Sequence, residues 1–170
     1  MLPFATPVQR LRLACRRVDA DGAQSLLREH GDLVTSLGPS DQRAITDAAW
    51  DGNADAVALM LALGFDPATP GNDSGSALHC AAWKGSAESV AAILRSPAGR
   101  ALISLSDAQH GGTPLGWCCH GSVHGPRGGG FAQVAQLLLE AGAQLEATEA
   151  SDDVEDVLAR WGSEHGPAHS

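Results

Sequence analysis

Ser76-Ala77-Leu78-His79-Cys80-Ala81-Ala82-Trp83-Lys84-Gly85, followed by Val90, Ile93 and Leu94, is the stretch on which the fold turns. Thirty-three residues upstream the pattern returns as Ala48-Ala49-Trp50-Asp51-Gly52, followed by Val57, Met60 and Leu61. Counted from the first alanine, glycine stands at +4, valine at +9 and the apolar pair at +12 and +13 in both segments. A further 34 residues upstream lies Ala14-Cys15-Arg16-Arg17-Val18, with Ala23, Leu26 and Leu27 at the same offsets and Val18 where the glycine would be. Downstream by 37, Thr113-Pro114-Leu115-Gly116-Trp117-Cys118-Cys119 leads to Val134, Leu137 and Leu138. There the valine sits at +16, so seven residues are inserted between the two halves.

Such a period is the mark of a repeat architecture. Each copy reads as two short antiparallel helices. Paired small residues on the first let a neighbouring backbone approach closely. The +9, +12, +13 stripe is an i, i+3, i+4 face on the second. Gly52 and Gly85 fall where the first helix must end in a left-handed residue, and Gly64 and Gly142 do the same after the second. Asp66-Pro67-Ala68-Thr69-Pro70-Gly71-Asn72-Asp73 between copies is dense in turn formers.

A period near 33 carrying T-P-L-H-x-A-A-x-x-G, then V-x-x-L-L and G-A, resembles the ankyrin repeat. Ser76 to Ala82 follows that signature with Ser for Thr and Ala for Pro; Thr113-Pro114-Leu115 follows its first three positions, with Gly116 in place of His. The resemblance implies a mainly α helical-hairpin repeat solenoid with short β-hairpins or loops between units. The units fall at about 8–37, 41–70, 73–106 and 109–145, all within a single domain of residues 1–162. The first copy, with charge where an inner unit is apolar, reads as the N-terminal cap, with Leu33, Val34 and Leu37 tucked against it. Ser151-Asp152-Asp153 opens a capping helix over 151–161, buried through Val154, Val157, Leu158 and Trp161. Residues 163–170 read as a disordered tail. A lone unit cannot bury its stripe, so neighbours share stability. Leu94→Ala is expected to cost about 2–5 kcal/mol, read as a lower melting temperature.

Composition agrees with packed helices. The 170 residues are 44% apolar and 18% charged, and include 29 Ala but no Tyr; a β-sandwich would be richer in β-branched and aromatic residues. The net charge of −9 argues against nucleic acid as a partner. It is unevenly spread: residues 1–30 carry five Arg against three acids, and residues 140–170 carry eight acids against Arg160. That contrast allows weak head-to-tail association of a monomer. The longest apolar run, Ala56 to Phe65, is too short to span a membrane. Arg10, Arg12, Arg16 and Arg17 break any signal-peptide core. Cys15, Cys80, Cys118 and Cys119 offer no C-x-x-C and read as reduced thiols of a cytoplasmic protein.

Two groups of residues stand out as candidate sites. The positions after the small-residue pair are Arg16 and Arg17, Trp50 and Asp51, Trp83 and Lys84, then His120. By the ankyrin resemblance they border a concave groove where partners dock, and Trp and Arg are the residues most enriched at binding hot spots. They are the expected binding face for an unidentified protein partner. The alternative is a metal-binding or thiol-reactive protein using Cys118, Cys119, His120 and His124. His79, by the same resemblance, ties loops together by hydrogen bonds. Trp117 is expected partly buried against the insert 122–130. No nucleophile elbow, Walker loop or dinucleotide fingerprint occurs, so a non-catalytic protein without cofactor or metal is expected.

Overall fold

The computed structural model describes residues 5–145 and 148–165. It is mainly helical, and no strand occurs among the described residues. The helices are α1 (Pro7–Arg16), α2 (Ala20–Glu29), α3 (Pro39–Gln42), α4 (Ala44–Asp51), α5 (Ala54–Leu63), α6 (Ala77–Lys84), α7 (Ala87–Leu94), α8 (Pro97–Arg100), α9 (Pro114–His124), α10 (Phe131–Glu140) and α11 (Asp152–His165). Helices α1 and α2, α4 and α5, α6 and α7, and α9 and α10 form consecutive antiparallel pairs. Between pairs, α6 packs on both α4 and α9, and α7 packs on both α5 and α10. α1 leans on α5, and α11 covers α10. None of these helices is long and apolar enough to cross a membrane.

The same local chemistry builds three of the four pairs. The first helix ends in a left-handed residue: Val18 at φ 57°, Gly52 at 74° and Gly85 at 68°. At each end two backbone bonds close the turn. Val18, Gly52 and Gly85 donate to the carbonyls of Cys15, Ala49 and Ala82, and Asp19, Asn53 and Ser86 donate to those of Ala14, Ala48 and Ala81. The latter three residues then cap the second helix, their side chains accepting from the N–H of Gly22, Ala56 and Ser89 at 2.9, 3.0 and 3.3 Å. Val57, Val90 and Val134 are fully buried, as are Met60, Ile93 and Leu138; Leu94 is buried as well. In the fourth pair Leu138 takes the fully buried place and Leu137 is half-buried.

Val18 is the costly member of the set. A β-branched side chain in the left-handed region clashes with its own backbone, at a cost of about 1–3 kcal/mol. Val18→Gly should remove that strain and return part of the gain as unfolded-chain entropy. The expected net effect is about 1 kcal/mol of added stability, measured as a higher urea midpoint at unchanged slope.

Loops between pairs are tied in the same forward direction. The Thr46 hydroxyl donates to the Thr69 carbonyl at 2.6 Å. Thirty-three residues on, His79 sits fully buried, with Nε2–H donating to the Gly112 carbonyl at 3.1 Å. Its Nδ1 accepts from the Ser76 N–H at 3.2 Å and lies 2.8 Å from the Ser76 hydroxyl. That pattern holds the imidazole neutral: burial lowers its pKa, against the opposing pull of the Gly112 carbonyl and Asp107. Position 116, a further 37 on, is glycine and carries no such group.

Three boundaries differ from the sequence reading. The insert does not begin as a loop at 122. Position +4 from Cys118 is Ser122, not glycine, so nothing turns the chain and α9 continues to His124. The remaining loop folds back, Gly130 N–H donating to the Gly85 carbonyl at 2.8 Å. The last helix does not stop at 161 but runs to His165, so 163–165 are helical and not a tail. Gly162 costs a helix only about 1 kcal/mol, and the His165 ring stacks on Trp161 with centroids 3.9 Å apart. The tail expected at 166–170 lies outside the described residues.

Candidate functional site

The C-terminal ends of α4 and α6 and the middle of α9 bring three aromatic side chains together. The indoles of Trp50 and Trp83 are stacked nearly parallel, with centroids 6.3 Å apart and planes 11° apart. Trp83 in turn meets the His120 ring at 5.5 Å, and His120 meets His124 at 4.5 Å. The cause is the repeat spacing. Each residue follows a buried small pair, so each occupies the same helical position on adjacent packed helices. The approach is close because α9 presents Gly121 to the backbone of α6: a Cβ there would lie 2.7 Å from the Trp83 carbonyl oxygen.

Trp117 completes the arrangement from below. Its ring stands edge-on to Trp83 at 6.4 Å and 77° and edge-on to His79 at 5.3 Å. It is half-buried as its position in the sequence predicts, but its contacts lie on the side of the preceding loops and not the insert. It lies instead against Gly75 and Gly112, where an added Cβ would meet the indole at 2.7 and 3.0 Å. The reason is a hydrogen bond: indole Nε1–H donates to Asp107 Oδ2 at 2.9 Å and draws the ring toward the preceding loops.

Asp107, which sequence reasoning missed, is the polar anchor of the site. It is buried and accepts from five donors. Besides Trp117, the N–H of Gly112 reaches Oδ2 at 2.9 Å, and Oδ1 receives the N–H of Gln109 and His110 at 2.9 and 2.6 Å and the Ser74 hydroxyl at 3.2 Å. Burial alone would raise its pKa, but the donors from His110, Trp117, Gly112 and Gln109 outweigh it and hold the carboxyl well below the usual range. The signal for it was an aspartate with Gly111-Gly112-Thr113 a few residues on, a turn-forming side chain ahead of a helix start.

Trp50, Trp83, Trp117 and His120 wall a cleft of about 470 Å³, which Asp73, His110 and Thr148 also border. Its walls are mainly indole and imidazole, and Asp73 is the one carboxylate among its lining residues. Of the residues singled out in the sequence, Trp50, Trp83 and His120 meet here. Arg16, Arg17, Asp51 and Lys84 do not line the cleft; Arg16, Arg17 and Asp51 are exposed, and the Lys84 stem lies across Gly52.

The Cys–His cluster does not come together in this way. Cys118 and Cys119 are fully buried, whereas His120 and His124 are exposed. Among the described residues no group of three or more His, Cys, Asp and Glu could hold a metal ion. Burial, then the neighbouring Cys119 and Asp153, push the Cys118 thiol far up; burial likewise takes Cys15 to about 11 and Cys80 to about 12. A neutral, enclosed thiol is neither a good nucleophile nor a good ligand. No family model matches the chain, and no curated protein matches it.

Proposed function

We propose that this chain is a small ankyrin-type repeat protein whose role is to bind another protein, without catalysis, through the face formed by the ends of its first helices. The observation that carries this is the aromatic cleft: Trp50, Trp83 and His120 converge around it, and Trp50 keeps 41% of its surface exposed. Exposed indole held rigid at low entropic cost is what a binding hot spot requires. The repeated caps, left-handed turns and forward ties support the solenoid reading. Arg16, Arg17, Asp51 and Lys84 lie outside the cleft lining and belong to the proposed face only through their position after the small-residue pair of each copy. Four buried cysteines without a disulfide suit a reducing, cytoplasmic setting.

The test is capture of a partner on immobilised protein, comparing the native chain with the Trp50→Ala/Trp83→Ala double variant. Truncating two central indoles should weaken a captured partner by at least about 2 kcal/mol while helical circular dichroism persists. A partner held equally by both proteins would refute the reading.

A further inference from the structure

We propose that the cleft receives the guanidinium group of an arginine side chain presented by the partner. This rests on the docking function proposed above and names the chemistry of what docks. Three observations point the same way. First, Trp50, Trp83, Trp117 and His120 line one opening together, and the face of an indole attracts a cation through its quadrupole. Second, Asp73 is on the rim, is exposed, and forms no ion pair among the described residues. No lysine or arginine lines the cleft, and the chain as a whole carries −9. The lining thus offers one unpaired carboxylate and no Lys or Arg, a balance that favours a cation over an anion. Third, the volume of about 470 Å³ lies in the range that takes a side chain or small ligand.

Guanidinium suits this opening better than the other biological cations. It is flat and weakly hydrated, so it can lie on an indole while its edge points outward. It carries five N–H donors, and Asp73 and the Thr148 hydroxyl on the border are acceptors. An unmodified lysine ammonium is strongly hydrated and would lose water to reach the aromatic walls. A trimethylated lysine has no N–H to give, and would leave Asp73 without a hydrogen bond.

The experiment is a titration of the full chain with the capped pentapeptide Gly-Gly-Arg-Gly-Gly, followed through indole N–H resonances. Parallel titrations replace the arginine by citrulline, trimethyl-lysine or leucine. The signals of Trp50, Trp83 and Trp117 should move and saturate, while Trp161 on α11 stays still as an internal reference. The arginine peptide should bind about tenfold more tightly than the citrulline peptide, which has the same shape without the charge. Asp73→Asn, an exposed change that leaves the core untouched, should weaken it severalfold, and added salt should do the same.

Equal affinity for citrulline, or tighter binding of trimethyl-lysine, would overturn the assignment, as would shifts at Trp161 alone or no saturable shift with any peptide. Saturating cleft shifts with the leucine peptide at equal strength would also overturn it, yet leave the docking function standing. That function falls separately, if a captured partner is indifferent to the loss of Trp50 and Trp83.

Discussion

Asp107→Ala is expected to destabilise the fold by about 3–5 kcal/mol, because it strands donors that were gathered around one buried charge. Ser74, Gln109, His110, Gly112 and Trp117 all donate to this carboxylate. Removing the acceptor takes a partner from the half-buried Trp117 indole, the Gly112 N–H and the Ser74 hydroxyl, while the Gln109 N–H keeps Ser74 Oγ at 2.9 Å. In a chain of this length that corresponds to a fall of roughly 10 °C in Tm, measurable by calorimetry. The pH dependence follows from the depressed pKa. At neutral pH the group is ionised in both folded and unfolded chains, and its contribution is complete. As pH falls below about 4, the unfolded chain takes up the proton first. The stabilisation therefore drains away toward the lower, folded pKa. The gap in stability between the native protein and Asp107→Ala should be constant from pH 5 to 7 and narrow in acid.

Trp117→Ala should be nearly as severe, at about 3–5 kcal/mol. The loss has two parts. The ring fills space against Gly75 and Gly112 and meets His79 and Trp83 edge-on. Its N–H supplies one of the bonds to Asp107. Trp117→Phe separates them, since it keeps most of the apolar volume and drops the donor; it should cost about 1–2 kcal/mol. Because Trp117 and Asp107 touch, the double alanine variant should fall short of the sum of the single losses by about 1 kcal/mol or more, as read from denaturant unfolding of all four proteins.

Much of the helical framework was legible because it depends on short-range offsets. Val57, Val90 and Val134 are buried where their spacing put them, and Gly52 and Gly85 turn left-handed where a helix had to end. Val18 could not be read as a left-handed residue, since its side chain argues against that conformation, and the backbone bonds from Val18 and Asp19 that close the turn hold it there. The meeting of Trp50, Trp83 and His120 was visible in the same offsets. Asp107 and the true position of Trp117 were not. The value of that carboxylate comes from donors on Ser74, on its own loop and on α9, and no pattern internal to one copy reveals a contact assembled from two. The insert expected at 122–130 begins inside α9 for a simpler reason: Ser122 stands where the other copies have Gly52 and Gly85, and a helix lacking a stop goes on.

The buried thiols give the molecule an internal clock. Cys15 sits in α1, Cys80 in α6, and Cys118 and Cys119 in α9, so three of the four helix pairs hold a buried cysteine outside any disulfide. A thiol reagent can modify each one only when its own helix pair opens. Labelling kinetics followed by peptide mass mapping would rank those openings from one end of the chain to the other, with no mutation needed.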